Sequence, residues 1–170
     1  MSDHALYCTN TEVVPVGIAD GVLKRTAANT GWEFKTPIQL ATLLQSTFVE
    51  QASNTTTGSA SFVTLLTQSI TTSAGSALLI DATASLSNTG GTSNTDIQIV
   101  IDGTAARGCG TRTTSGNVPG GLAIVYKKTG LAAGVHTILL QWRTNAGTAQ
   151  CRPTTTANEH ASLVIQEVTV

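Results

Sequence analysis

Charge is what this chain has least of. Only 11% of its 170 residues are Asp, Glu, Lys or Arg, against roughly 25% in an average globular protein. With 9 basic and 10 acidic residues the formal charge is -1. The basic footprint by which proteins hold phosphate backbones is absent, so nucleic acid is not an expected partner. No stretch approaches the ~20 apolar residues of a spanning helix. The opening MSDHALYCTNTE lacks a basic segment followed by an apolar one. Neither a membrane nor a secretory route is therefore expected. Cysteine is scarce as well: Cys8, Cys109 and Cys151 are odd in number and far apart, which excludes a dense disulfide framework and allows at most one intrachain pair. Disorder needs low hydropathy and high net charge, and a mean hydropathy of +0.14 meets neither condition.

The composition that remains is rich in Thr, Ser, Ala and Gly, as expected of an all-β chain of short strands and many turns. Near Ser53 the sequence SNTTTGSAS reads as a polar linker, which divides the chain into an N-terminal arm, 1–52, and a β-domain, 53–170. Within the arm, Thr36, Pro37 and Gln39 supply an N-cap, a first helical residue and a capping-box partner. They predict one short helix over about 37–50, with Leu40, Leu43, Leu44 and Phe48 as its apolar stripe. That stripe packs either on the chain's own β-domain or against two equivalent helices on an oligomer axis. The arm's other apolar pieces are too short to form a core. Its aromatics Tyr7, Trp32 and Phe34 thus need an outside surface, which makes them candidates for attachment to a partner.

After Ser61 six strands are expected: Phe62 to Thr71, Ala77 to Leu86, Asp96 to Ile101, Leu122 to Tyr126, His136 to Arg143 and Ser162 to Val168. Gly-rich and Asn-rich separators lie between them. Ile97, Ile99 and Ile101 alternate with Asp96, Gln98 and Val100, so one face is core and the other mostly wet. His136, Ile138, Leu140 and Trp142 alternate in the same way with Thr137, Leu139, Gln141 and Arg143. Val100 and Leu139 are then apolar residues on the outward face, and candidates for a subunit interface.

Groups able to do chemistry are sparse. His136 and His160 read as structural residues at strand mouths, and Asp102, before Gly103, as a turn carboxylate bonded to backbone. No nucleophile, base and orienting group come together in sequence, so no catalysis is expected. His4 and Cys8 lie four apart, but no second closely spaced pair completes a zinc site. GNVPGG lacks the Lys and Ser or Thr of a phosphate loop. Neither metal nor cofactor is therefore expected. Cys109 and Cys151 follow core strands at comparable positions and form a candidate disulfide, which a reducing compartment opposes.

The segment Ile97 to Thr104, IQIVIDGT, followed by GLAAGVHTILLQWR at Gly130 to Arg143 and by the final strand ASLVIQEV at Ala161 to Val168, resembles bacteriophage virion proteins. It is similar to their trimeric jelly-roll domains of the tumour necrosis factor and C1q type, found in capsid decoration proteins, head fibres and tail-fibre tips. The resemblance covers about the last two-thirds of the chain and concerns a fold, not a chemistry. It implies a jelly-roll β-sandwich, a homotrimer with Val100 and Leu139 at its interface, and a place on the virion surface after assembly in the host cytoplasm. It further implies that the arm binds the major capsid protein or other virion proteins. The alternative is a receptor-binding tip that recognises a host glycan or surface protein. Such a tip needs exposed aromatics at its loops. Here Phe62, Tyr126 and Trp142 lie in expected strands, and the others in the arm. The decoration reading is therefore favoured.

Overall fold

The computed structural model of the protein describes residues 22–25, 32–35, 41–90, 93–113, 119–152 and 160–169. The chain divides into two compact units, Met1–Leu40 and Ala41–Val170. In the first, strands β1 (Val22–Arg25) and β2 (Trp32–Lys35) pair antiparallel, with Leu23 opposite Phe34 and Arg25 opposite Trp32.

The second unit is all-β. Its strands are β3 (Leu43–Glu50), β4 (Thr55–Thr57), β5 (Val63–Thr72), β6 (Ala77–Asn88), β7 (Ser93–Ile101), β8 (Thr104–Thr113), β9 (Gly120–Lys128), β10 (Gly134–Thr144), β11 (Ala149–Cys151) and β12 (Ala161–Val168). Four form one sheet in the order β5, β10, β7, β8. The other sheet runs β3, β12, β6, β11, β4, with β9 also paired to β6. All of these pairings are antiparallel.

The core follows from alternation. Ile97, Ile99 and Ile101 on β7 and Ile138, Leu140 and Trp142 on β10 face Leu78, Ile80, Leu86, Leu163 and Ile165 of the other sheet in one buried cluster. Trp142 is its largest side chain; aromatics of this size bury about 150–250 Å². One end of the sandwich is pinned by Asn88, whose amide donates to Thr144 Oγ1 at 2.8 Å and to the Ala146 carbonyl at 3.1 Å, while its Oδ1 accepts the Gly90 N–H at 2.8 Å. Gly147, at φ 69°, passes so close to Gly90 that a Cβ there would strike its backbone. Two connections can cross at that point only because both residues are glycine.

Two expectations need correction, and one long strand was not expected. Residues 43–50 are strand β3 rather than helix and 41–42 are not helical, while 37–40 of the expected helix lie outside the described residues. The spacing of Leu44 and Phe48 is four, which keeps two residues on one face of a helix and equally of a strand. Seven register pairs with β12 decide the matter, supported by the Thr47-Phe48-Val49 run of strand-forming residues. It follows that residues 41–52 lie in the second compact unit, so the division expected at 52/53 falls at 40/41. Finally, β8 went unread: TAARGCGTRT has no apolar alternation, and it holds a sheet edge where only one side needs a partner.

Candidate functional site

The β7–β8 turn is a two-residue hairpin closed by Ile101 opposite Thr104. Its central residues Asp102 and Gly103 both take positive φ, 49° and 80°. This is the geometry that matches strand twist and that Asp-Gly favours. The turn leaves the Asp102 carboxylate standing at the end of the sandwich beside β10. Its Oδ1 accepts the Thr137 N–H at 2.9 Å, and its Oδ2 lies 2.6 Å from His136 Nδ1. The other imidazole nitrogen, Nε2, lies 2.9 Å from the Ala132 carbonyl, which also accepts Thr72 Oγ1–H at 2.9 Å.

Each ring nitrogen of buried His136 thus faces an acceptor, so only the imidazolium satisfies both. The Asp102 bond first, and then the Ala132 carbonyl, raise His136 above the usual imidazole range. In return the His136 bond and the Thr137 N–H hold Asp102 below the usual carboxylate range. An Asp–His pair is two-thirds of a hydrolytic triad, but in a triad the far nitrogen must be open to take a nucleophile's proton. Here a backbone carbonyl occupies that position. A cleft of about 340 Å³ adjoins the pair, lined by Asp102, Thr104, Tyr126, Lys128 and Leu131 among others.

A buried carboxylate elsewhere ties elements together. Glu167 on β12 accepts the Ser73 N–H at 2.5 Å and the Gln45 amide at 2.6 Å. The Ser73 N–H, the Ser76 hydroxyl and the Gln45 amide lower it to about 2. A charged residue buried so deeply is rare without such a full set of donors.

The other candidates fall in separate places. Val100 and Leu139 are direct cross-strand partners on the outward side of their sheet. Val100, expected to be exposed there, is only 5% exposed. Cys109 and Cys151 are not bonded to each other: they lie on strands of different sheets. Cys109 Sγ turns to the Ala123 carbonyl at 3.6 Å, and Cys151 is fully buried. Burial raises the Cys109 thiol above its usual value, which lowers its thiolate fraction. Trp32 and Phe34 occupy alternate positions of β2. His4, Tyr7 and Cys8 lie outside the described residues.

Among the described residues there is also an open surface that sequence reading missed. On the outer face of β3, β12, β6 and β9, register places Phe48, Val164, Asp81 and Val125 in one row across the sheet. Glu50, Ser162, Thr83 and Ala123 flank it on one side, and Ser46, Gln166, Leu79 and Lys127 on the other. Phe48 is 55% and Val125 76% exposed. Beyond Ala123 the face sinks into a hollow of about 340 Å³ lined by Thr83, Ser85, Gly121, Ala123 and His160. The signal for Phe48 was present in the sequence but was assigned to a helix. The signal for Val125 was a β-branched residue opposite the core-facing Ile124, in a strand read as a core element. Comparison with models of known protein families and with curated proteins finds no match to this chain.

Proposed function

We propose that the protein is a non-enzymatic structural protein of a bacteriophage virion, a homotrimeric jelly roll that decorates or reinforces the capsid and is attached through its N-terminal residues. The observation that carries this reading is the row in which Phe48 and Val125 stand exposed, with half-buried Val164 and the charged Asp81 between them. Burying a Val or Phe side chain is worth about 1.5–3 kcal/mol, and a self-assembling subunit recovers that by covering the row. The interface belongs on this face rather than at Val100 and Leu139, because those two already cover each other.

The strand orders support the fold named. Chain-ordered strands β3, β6, β9 and β12 make one layer and β5, β7, β8 and β10 the other, an arrangement that suits the two interlocked Greek keys of a jelly roll, common in viral capsid domains. The segments that carry the resemblance to phage proteins also form one unit: Asp102 of IDGT, His136 of GVHT and Ala132 of LAAG are joined by the hydrogen bonds described above. An imidazolium with both N–H groups committed is no general base, which favours a structural role over hydrolysis. Tyr7, Trp32 and Phe34 remain the proposed attachment residues.

The test is direct. Light scattering with chromatography at micromolar concentration should give a trimer, and imaging of intact particles should find the protein on the shell. A monodisperse monomer absent from particles overturns the proposal.

A further inference from the structure

We infer that the second copy docks by seating Phe48 in the hollow over Gly121 and Ala123, so that each subunit gives one aromatic and receives another. This rests on the self-assembly reading above and specifies the contact.

Phe48 projects from β3, at one edge of the face, and the hollow lies over β6 and β9, toward the other. Three interstrand gaps separate β3 from β9, about 14 Å. Gly121 also lies four residues along from Val125, the β9 residue in Phe48's row, a further ~13 Å. No rotamer of Phe48 spans that distance, so its own hollow is out of reach and only another copy can supply the ring. The hollow exists because Gly121 has no side chain, Ala123 has a single methyl, and Thr83 and Ser85 are short. Its floor is therefore level with the backbone, as a planar ring requires. Residues in strand interiors that leave such space commonly mark the close approach of another molecule.

Polar groups on the face are complementary in the same sense. Glu50 stands two residues beyond Phe48 on the same side of β3, and His160 lines the hollow. Asp81 and Lys127 lie on adjoining rows. None of these four side chains has a hydrogen-bond or ion-pair partner among the described residues. Seating Phe48 brings a carboxylate beside the neighbour's imidazole N–H and lets Asp81 and Lys127 pair between copies. The sheet face measures roughly 19 by 27 Å for four strands of about eight residues. That is a footprint of the order needed for the ~800 Å² of accessible surface each partner buries in a standard interface. Because the projecting and receiving parts differ in position, a subunit can give its ring to one neighbour and receive one from another, the head-to-tail arrangement that forms a closed ring when the rotation between copies closes.

Phe48→Ala and Gly121→Leu test this on the full chain by light scattering and sedimentation. A Cβ at Gly121 meets nothing within 4 Å and the residue lacks positive φ, so the leucine fills the hollow without straining the subunit. Circular dichroism checks that both variants fold. Each should weaken assembly at least tenfold, and the double variant should be no worse than the weaker single one, as expected when both changes remove one contact. A wild-type trimer that survives both substitutions overturns the Phe48 contact and leaves self-assembly standing. A wild-type monomer overturns self-assembly itself.

Discussion

The two outer faces of the sandwich are built from similar residue types and finished differently. On the four-stranded sheet the amide and charged side chains of the middle rows have their partners within the subunit. Gln98 donates to Gln141 at 2.8 Å, and Arg143 Nε meets Asp96 at 2.9 Å while its guanidinium stacks 4.5 Å above the Phe62 ring. Val100 and Leu139 shield each other in the next row. On the face of β3, β12, β6 and β9, by contrast, Phe48 and Val125 stand in water, and Asp81 and Lys127 are unpaired among the described residues. On the four-stranded face the amide and charged groups of the middle rows are closed internally, and the exposed Val135 stands at one end of β10. A face whose apolar and charged groups are both left open is complete only when something lies on it.

The largest effect should come from removing one strand of the open face. Deleting residues 1–51 takes away β3, exposing the β12 edge and freeing the Gln45 bond to Glu167; it should destabilise the unit by on the order of 3 kcal/mol or more. Deleting only 1–40 leaves all ten described strands of that unit and should leave its stability within about 0.5 kcal/mol. Urea unfolding of both truncations checks this, and equal midpoints would show that β3 contributes nothing to the fold. Next in size is a pair of charge insertions. Phe48→Asp should weaken assembly at least a hundredfold with an unchanged melting temperature. Leu139→Asp should do the reverse, costing the subunit about 1–3 kcal/mol by placing a carboxylate against buried Val100, with assembly of the folded protein unaltered. If Leu139→Asp were the variant that dissociates the trimer, the roles of the two faces would be exchanged.

Clean alternation made most of the second unit legible: all six expected strands match observed ones within three residues, the largest difference being at Asp96, where the strand begins at Ser93. What could not be read was whatever depends on partners distant in sequence. The i, i+4 spacing of Leu44 and Phe48 fits two periods, and only the β12 register chooses between them. Asp102 and His136 were each readable as a turn residue and a strand residue. Their meeting is set by Ile101 opposite Ile138 in the β7 and β10 pairing, across 34 residues. The open face was hidden for the same reason, since its row is assembled from four strands whose order no local pattern encodes.

Titration sharpens the contrast between engaged and open groups, with a moderate effect. Glu167 is lowered from 4.5 to about 2, so its contribution is present above the unfolded value and is lost as pH falls through the window from about 4.5 to 2. His136 is raised above 6.5, so its contribution is complete below that value and is lost as pH rises beyond it. Stability should therefore fall away on both sides of a mildly acidic plateau in denaturation experiments. Glu167→Gln should flatten the acid limb. His136→Gln should flatten the alkaline limb, and part of the acid one too, because Asp102 then loses the main cause of its lowered value. An unchanged alkaline limb in His136→Gln would show that the imidazolium pair does not hold the loops at that end.

The smallest expected effect tests how completely the closed face is closed. Arg143 and Asp96 are partly exposed, with side-chain exposures of 44% and 29%, and pairs in such settings are usually worth less than about 1 kcal/mol. Stacking on Phe62 adds a contribution that salt screens less, since the ring quadrupole acts only at contact. Arg143→Lys keeps the charge but loses the planar group that reaches both partners at once, and should cost about 0.5–1 kcal/mol. Gly110→Ala approaches the same pair from the opposite strand: its methyl would fall on the Asp96 carboxylate, which must swing away and abandon Arg143. If the pair acts as one unit with the ring, the double variant should lose less than the sum of the two singles in a denaturation cycle. Strict additivity would mean that Phe62 and Asp96 hold Arg143 independently, and that this face is finished by separate contacts rather than by a connected row.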